Sequence, residues 1–277
     1  MNKYIIYQGS GGLVQLLGGL VYCIDYINYT REHFTLIIDI KNHQAFGNYF
    51  SKYFKLINFN KKYSEDYEDI KNVKDYFRIP LSEFNKKNVD YINGSGYLFS
   101  YNNKFINIGQ DLRKINFYNN LKIYAGHGGH SKYNTIKYIR CNDNIIKMLN
   151  EKYKIDEKYI AVHFRNTDRF NNINDFINKI KKYKQKKVYI ATDDTKAINI
   201  FKEKLVNYDL IYYYEPPDFN GENIHFNNPD KDQVVMSIII DMFMMYNSEI
   251  FIDSPNSCIS LLVNYMRSNK KSIFDSI

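Results

Sequence analysis

Short apolar bursts that end abruptly in polar or small residues, each followed by a stretch with helical spacing, recur along the second half of the chain. Residues 159–162 run Tyr-Ile-Ala-Val and give way within one position to His163, Arg165, Asp168 and Arg169. A run of β-formers that stops in convergent polar side chains predicts a buried strand delivering a site at its carboxyl end. The pattern continues with a helix over about residues 174–183, a strand at 188–191, a helix from Thr195 and a strand at 210–214. A helix at 234–246, a strand at 250–252 and a last helix at 259–265 complete it. Such alternation predicts a parallel sheet with helices on both faces. The first half starts in the same way, with a strand at residues 3–7, a glycine loop, a helix running through Ile27 and a strand at 34–40. Residues 41–90 show no clear period and read as short helices and loops. Residues 91–108 read as one or two strands, 121–125 as a strand, and 142–152 as a helix that closes a first domain. The fold class expected is therefore α/β, with a first domain over residues 1–150 and a second, Rossmann-like one over 151–277.

A chain of 277 residues is long enough for two such cores. Its amino terminus is too short in apolar residues for a signal peptide, and no stretch approaches the roughly 20 residues needed to span a bilayer. Three dispersed cysteines, Cys23, Cys141 and Cys258, fit neither a disulfide framework nor a zinc site. A reducing, cytoplasmic setting is expected. The net charge of +8 allows nucleic acid, an anionic membrane surface or a phosphorylated ligand as partner. The one dense basic run, residues 179–187, falls where a helix should end. Cations there complement the helix dipole, so no nucleic-acid partner is expected.

Candidate chemistry gathers at the ends of the predicted strands. Arg165 leads, because a guanidinium offers a planar fork of donors to phosphate or carboxylate and stays charged at any working pH. The loop QGSGG after the first strand, with Gly11 and Gly12, has the order a phosphate or sugar cradle needs, and equally that of a tight turn. Asp193 and Asp194 follow the strand at 188–191, where a helix cap accounts for one of the two. Asp241 is the only charge in an otherwise apolar helix, and a carboxylate there is costly to bury without a partner. Ser254, Asn256 and Ser257 precede the last helix as a phosphate nest or a cap. His127 and His130 flank glycines without a third metal ligand in view, and the run reads as a loop.

Taken in order, QGSGGLVQLLGGLVYC, HFRNTDR, YIATDD and SIIIDMFMMYNSEIFIDSPNS resemble the α1,6-fucosyltransferases and related bacterial chitin-oligosaccharide fucosyltransferases. The resemblance implies a GT-B-like fold of two facing Rossmann-like domains with parallel sheets. It also implies an inverting mechanism, a GDP-sugar donor and no metal or other cofactor. By the same resemblance Arg165 grips the β-phosphate, His163 lies beside it, Asp241 reads the base, Ser257 meets the phosphates, and Asp168, Asp193 and Asp194 match acidic positions on which activity depends. Chemistry supports the base assignment: a carboxylate accepts two hydrogen bonds from guanine N1 and the exocyclic amine, whereas uracil offers one donor on that edge. The chain departs from the family at Asn166, where a second arginine is usual, at Arg169, usually lysine, and at Ile173, the place of the proposed catalytic glutamate. Asp175 is the nearest carboxylate to that place, with Asp168, Glu215 and His127 as alternative bases.

The function expected is a glycosyltransferase moving fucose from GDP-fucose to a glycan hydroxyl. A xylose or rhamnose nucleotide on the same scaffold is one alternative, and a non-catalytic glycan or nucleic-acid binding module is another. The partners expected are a nucleotide sugar and a glycan acceptor.

Overall fold

The computed structural model describes residues 3–9, 11–30, 33–43, 45–65, 89–92, 97–99, 105–107, 121–124, 134–166, 171–215 and 228–275. Asp168, Arg169, His127 and His130 lie outside the described residues, as do much of the 41–90 stretch and the turn-rich stretch after Glu215. The chain divides into two units, Met1–Asn142 and Asp143–Ile277. The helix expected to close the first domain thus opens the second.

In the first unit β1 (Lys3–Tyr7), helix α1 (Leu13–Thr30) and β2 (Phe34–Ile38) form a parallel strand–helix–strand unit with Ile5 opposite Leu36 and Ile6 opposite Ile37. Buried Leu13, Leu16, Leu17, Leu20, Ile24 and Ile27 recur at three- and four-residue spacing and give α1 its core-facing stripe. Buried Tyr7 donates its hydroxyl to Leu16 O at 2.5 Å, tying strand to helix. A short antiparallel ribbon pairs β3 (Phe54–Leu56) with β9 (Ile139–Cys141), next to helix α2 (Thr135–Tyr138). The main sheet adds β4 (Tyr63–Ser64), β5 (Val89–Ile92), β6 (Tyr97–Phe99), β7 (Phe105–Asn107) and β8 (Leu121–Tyr124). Its order is β4-β2-β1-β8-β5-β6-β7. The pairings from β4 to β5 are parallel, and β5-β6-β7 is antiparallel. The sheet is therefore mixed, and where the hydrophobic pattern predicts one or two strands there are three.

The second unit opens with α3 (Asp143–Lys152) and alternates β10 (Ile160–Phe164), α4 (Ile173–Ile180), β11 (Lys187–Thr192), α5 (Thr195–Lys204) and β12 (Asp209–Ile211). It ends with α6 (Lys231–Asn247), β13 (Ile250–Ile252) and α7 (Cys258–Asn269). All four strands are parallel, in the order β12-β11-β10-β13. Alternation sorts the side chains of the two central strands. Ile160, Val162, Phe164, Val188 and Ile190 form one core with Phe176, Ile177 and Ile180 of α4 and with Ala197 and Phe201 of α5. Phe164 sits edge-on to Phe176 at 5.1 Å and to Phe201 at 5.7 Å. Each such fully buried side chain contributes roughly 1.5 to 3 kcal/mol over leaving it in water. The opposite face is covered by α6: Tyr159, just before β10, donates to Met244 O at 2.7 Å, and Tyr189 of β11 donates to Asp241. Among the described residues no helix is long and apolar enough to cross a membrane.

Candidate functional site

The strand order of the second unit reverses at β10: the chain moves outward through β11 and β12, then returns to place β13 on the other side of β10. Loops leaving two such neighbours diverge, and the crevice between their carboxyl ends is where open α/β sheets bind ligands. A cleft of about 410 Å³, counting its open mouth, lies over these strand ends and is lined by His163, Arg165, Thr192, Asp193, Tyr214, Ser237, Asp241 and apolar neighbours.

The elements bring their side chains there for local reasons. His163 follows the inward-facing Val162 and so points to the face that α6 and α7 cover. It is 6% exposed, and its Nδ1 lies 2.7 Å from Ser260 Oγ of α7. That same Oγ accepts from the Ser254 amide at 3.1 Å, so one buried hydroxyl joins the end of β10 to the turn after β13. Arg165, one residue beyond β10, directs its Nε edge to Asp193 Oδ2 at 3.9 Å, with side chains only 13% and 10% exposed. Asp193 Oδ1 accepts from the Asn166 amide at 2.9 Å. Asp194 caps α5 through Lys196 N at 2.9 Å, and its other oxygen accepts from Asn166 Nδ2 at 2.8 Å. The ordinary capping role thus belongs to Asp194, while Asp193 faces the cleft. Both carboxylates bind Asn166.

The second wall is one stripe of α6. Val234, Ser237, Ile238 and Asp241 are spaced by three and four residues and line the cleft together. Ser237 turns its hydroxyl back to Val234 O at 2.8 Å. Asp241 keeps only part of its surface in solvent and accepts from Tyr189 Oη at 2.5 Å through Oδ1. Burial raises its carboxyl to about 7; the Tyr189 hydrogen bond pulls the other way, and the Asp193 charge adds to the rise. Burial, with the Asp241 charge next, pushes the Tyr189 phenol well above its ordinary value, so it stays a donor.

After β13 the chain turns through Ser254, Pro255 and Asn256 into α7. Asn256 is left-handed at φ 61°, a conformation asparagine tolerates better than most residues. Ser257 occupies the cap position of α7 but makes no side-chain capping bond, and its amide closes the turn onto Ser254 O at 3.3 Å. In the first unit Gly11 has φ 80°, and the Gly12 amide donates to Gln15 Oε1 at 2.9 Å. That is the back half of a capping box at the start of α1. Asp175 is exposed in the first turn of α4 and is not among the residues lining the cleft. Ile173 packs partly buried against the core.

Tyr189, Asn171 and Ser260, which hold the site's side chains in place, escaped sequence reasoning, as did Tyr214 and Ser237 in the cleft wall. Asn171 Nδ2 donates to Arg165 O at 2.5 Å and to Ser254 Oγ at 3.0 Å, and so clamps the two diverging loops. Tyr189 had a readable signal. A phenol inside a buried strand needs a partner for its hydroxyl, and the lone carboxylate of an apolar helix needs a donor. Asn171 and Ser260 had none, since nothing in their local pattern separates them from ordinary turn and helix residues.

No protein-family model matches the chain, and no match was found among curated proteins by sequence. Solved structures do match. The NodZ α1,6-fucosyltransferase soaked with GDP-fucose is 14% identical at a TM-score of 0.59, over 96% of this chain and 92% of its own. NodZ from Bradyrhizobium aligns at 12% identity and a TM-score of 0.57, over 95% and 92% of the two chains. POFUT1 in complex with GDP aligns at 14% identity and a TM-score of 0.51, over 96% and 95%. At these identities the likeness is one of fold: this chain shares the mixed α/β, GT-B-type fold of those fucosyltransferases along nearly its whole length.

Proposed function

We infer that the chain is a glycosyltransferase that takes a sugar from a GDP-sugar, with GDP-fucose as the donor, and transfers it with inversion to a glycan hydroxyl. The observation that carries this reading is the cleft at the strand-order reversal, which contains both a guanidinium, Arg165, and a lone helical carboxylate, Asp241. Arg165 meets the β-phosphate with His163 beside it. Ser254, Asn256 and Ser257 bring hydroxyl, amide and helix-terminal donors to the same phosphates. Cleavage of the sugar–phosphate bond builds negative charge on the departing diphosphate, and fixed donors in a partly dry cleft stabilise it without reorganising. Asp193 and Asp194 hold the Arg165–Asn166 segment. Asp241 accepts from guanine N1 and the exocyclic amine. Asp168 and Asp175 are the candidate carboxylates for the base that takes the acceptor's proton. GDP and GDP-fucose in the matching structures support the choice of nucleotide. No metal is required in this reading, in which Arg165 and fixed protein donors meet the phosphate charge.

The test is calorimetric titration of GDP and UDP in EDTA-containing buffer, on the wild type and on Asp241→Asn. The wild type should prefer GDP with the metal removed. Asp241→Asn places an NH2 donor against a donor edge and should weaken GDP on the order of 30- to 150-fold, as expected for roughly 2 to 3 kcal/mol, with UDP little changed. Equal losses for both nucleotides, a wild-type preference for UDP, or loss of GDP binding in EDTA would each contradict the reading.

A further inference from the structure

The Asp241–Tyr189 contact asks more of the phenol than burial does. Tyr189 is fully buried at 0% exposure, and its neighbours hold the ring in place: Tyr213 packs against it at 5.7 Å with the rings tilted by 40°, and Tyr153 meets Tyr213 edge-on at 4.6 Å. The small Ala161 lies opposite it on β10. With the ring fixed, the hydroxyl points at one oxygen of one carboxylate. An ionised carboxylate has about four acceptor positions, and Tyr189 takes one of them on Oδ1. The remainder are available to a ligand in the cleft that Asp241 lines.

We propose that Tyr189 is the positioning residue for nucleotide recognition: its buried hydroxyl fixes the orientation of Asp241 and keeps it an acceptor, so that the cleft selects a base presenting two adjacent N–H donors. The inference rests on the GDP-sugar reading above and assigns the source of its base selectivity. The groups facing Asp241 explain why a donor is needed. β11 brings Tyr189 and, at its end, Asp193; the end of β10 brings His163 and Arg165; Tyr214 follows β12; α7 contributes apolar Ile259. Burial and Asp193 both favour the protonated acid, and the Tyr189 hydrogen bond opposes them. A protonated Asp241 would turn an O–H toward guanine's donors and lose the match.

Tyr189→Phe removes the hydroxyl and keeps the ring, and it is compared with the wild type by carboxyl-carbon NMR of Asp241 without ligand and by GDP and UDP titration across pH. In the ligand-free protein the Asp241 midpoint should rise by about one to two pH units, the equivalent of one charge-assisted hydrogen bond. Wild-type GDP affinity should strengthen as pH rises through about 7. Tyr189→Phe should bind GDP roughly 5- to 50-fold more weakly at pH 7, and within about four-fold of wild type near pH 8.5, with UDP unaffected. Asp241→Asn should abolish the pH dependence. A variant that folds, as judged by circular dichroism, yet leaves the Asp241 midpoint and the GDP–pH profile where they were overturns the proposal. The same holds for a variant that weakens GDP and UDP equally at every pH. If the wild type does not prefer GDP at all, the guanine reading falls and takes the selectivity role with it, and an NMR midpoint that still shifts identifies that as the step that failed.

Discussion

Arg165 shows how one side chain can be assigned from its chemistry and still depend on its neighbours. Its Nε edge faces Asp193 across 3.9 Å in a largely buried setting, and Asn171 holds its carbonyl, so the guanidinium emerges from a fixed backbone. A lysine in its place would keep the charge and lose the planar fork. Arg165→Lys should therefore lower the release of GDP from GDP-fucose by about 100-fold or more, the size of effect seen when one preorganised donor is removed. Turnover within a few-fold of wild type would show that the phosphate is gripped elsewhere. The residue was legible as a candidate, because a guanidinium just after a buried strand serves either an anionic ligand or an ion pair. Its partner Asp193 was legible only as one of an adjacent pair. Deciding which aspartate caps α5 and which faces the cleft required the turn geometry that gives the Lys196 amide to Asp194.

At the scale of elements, the last helix pair is held together by Arg267, whose role no local pattern announces. Arg267 Nη1 donates to Met245 O and Tyr246 O at 2.9 Å and to Ser248 O at 2.7 Å, and Nη2 donates to Glu249 O at 3.1 Å. These carbonyls end α6, where backbone acceptors have no partner within the helix. Arg267→Met keeps the stem's packing and removes the donors, and should cost roughly 2 to 4 kcal/mol in urea unfolding while leaving GDP affinity unchanged. A loss below about 0.5 kcal/mol would mean that water satisfies those carbonyls equally well. Helix starts were easier to read. Asn172, Asp194 and Asp230 each cap a helix through their own side chains, and of these the cap before α5 is the one the sequence predicts. The three strands of the first sheet's antiparallel edge were blurred because runs of three or four residues carry too little alternation to separate from loop.

For the whole molecule, the site opposes stability in a way pH should expose. Asp241 holds its proton to about 7 in the folded chain, against an ordinary value of 3.8, so the folded state binds more protons than the unfolded one between these limits. Stability from this group is full below the lower value and falls as pH rises through about 7. Asp241→Asn lacks the penalty and still offers Tyr189 an acceptor. Relative to wild type it should therefore gain a few kcal/mol between about pH 4 and pH 8 in the ligand-free protein, since moving a carboxyl's titration by one pH unit is worth about 1.4 kcal/mol. Parallel pH–stability curves for the two proteins would show that Asp241 is not held out of water. The sequence by itself determined the α/β class, the strand–helix alternation of the second unit, the cap before α5, and the candidacy of Arg165 and Asp241, because periodicity, capping chemistry and the cost of a lone buried charge are all local. Only the tertiary structure decided that β13 returns beside β10, which opens the cleft, that Tyr189 is the donor Asp241 needs, and that Asn171 and Ser260 tie the two loops together. Those facts depend on which strands pair across about 90 residues of chain and on which faces then meet, and no local pattern carries that information.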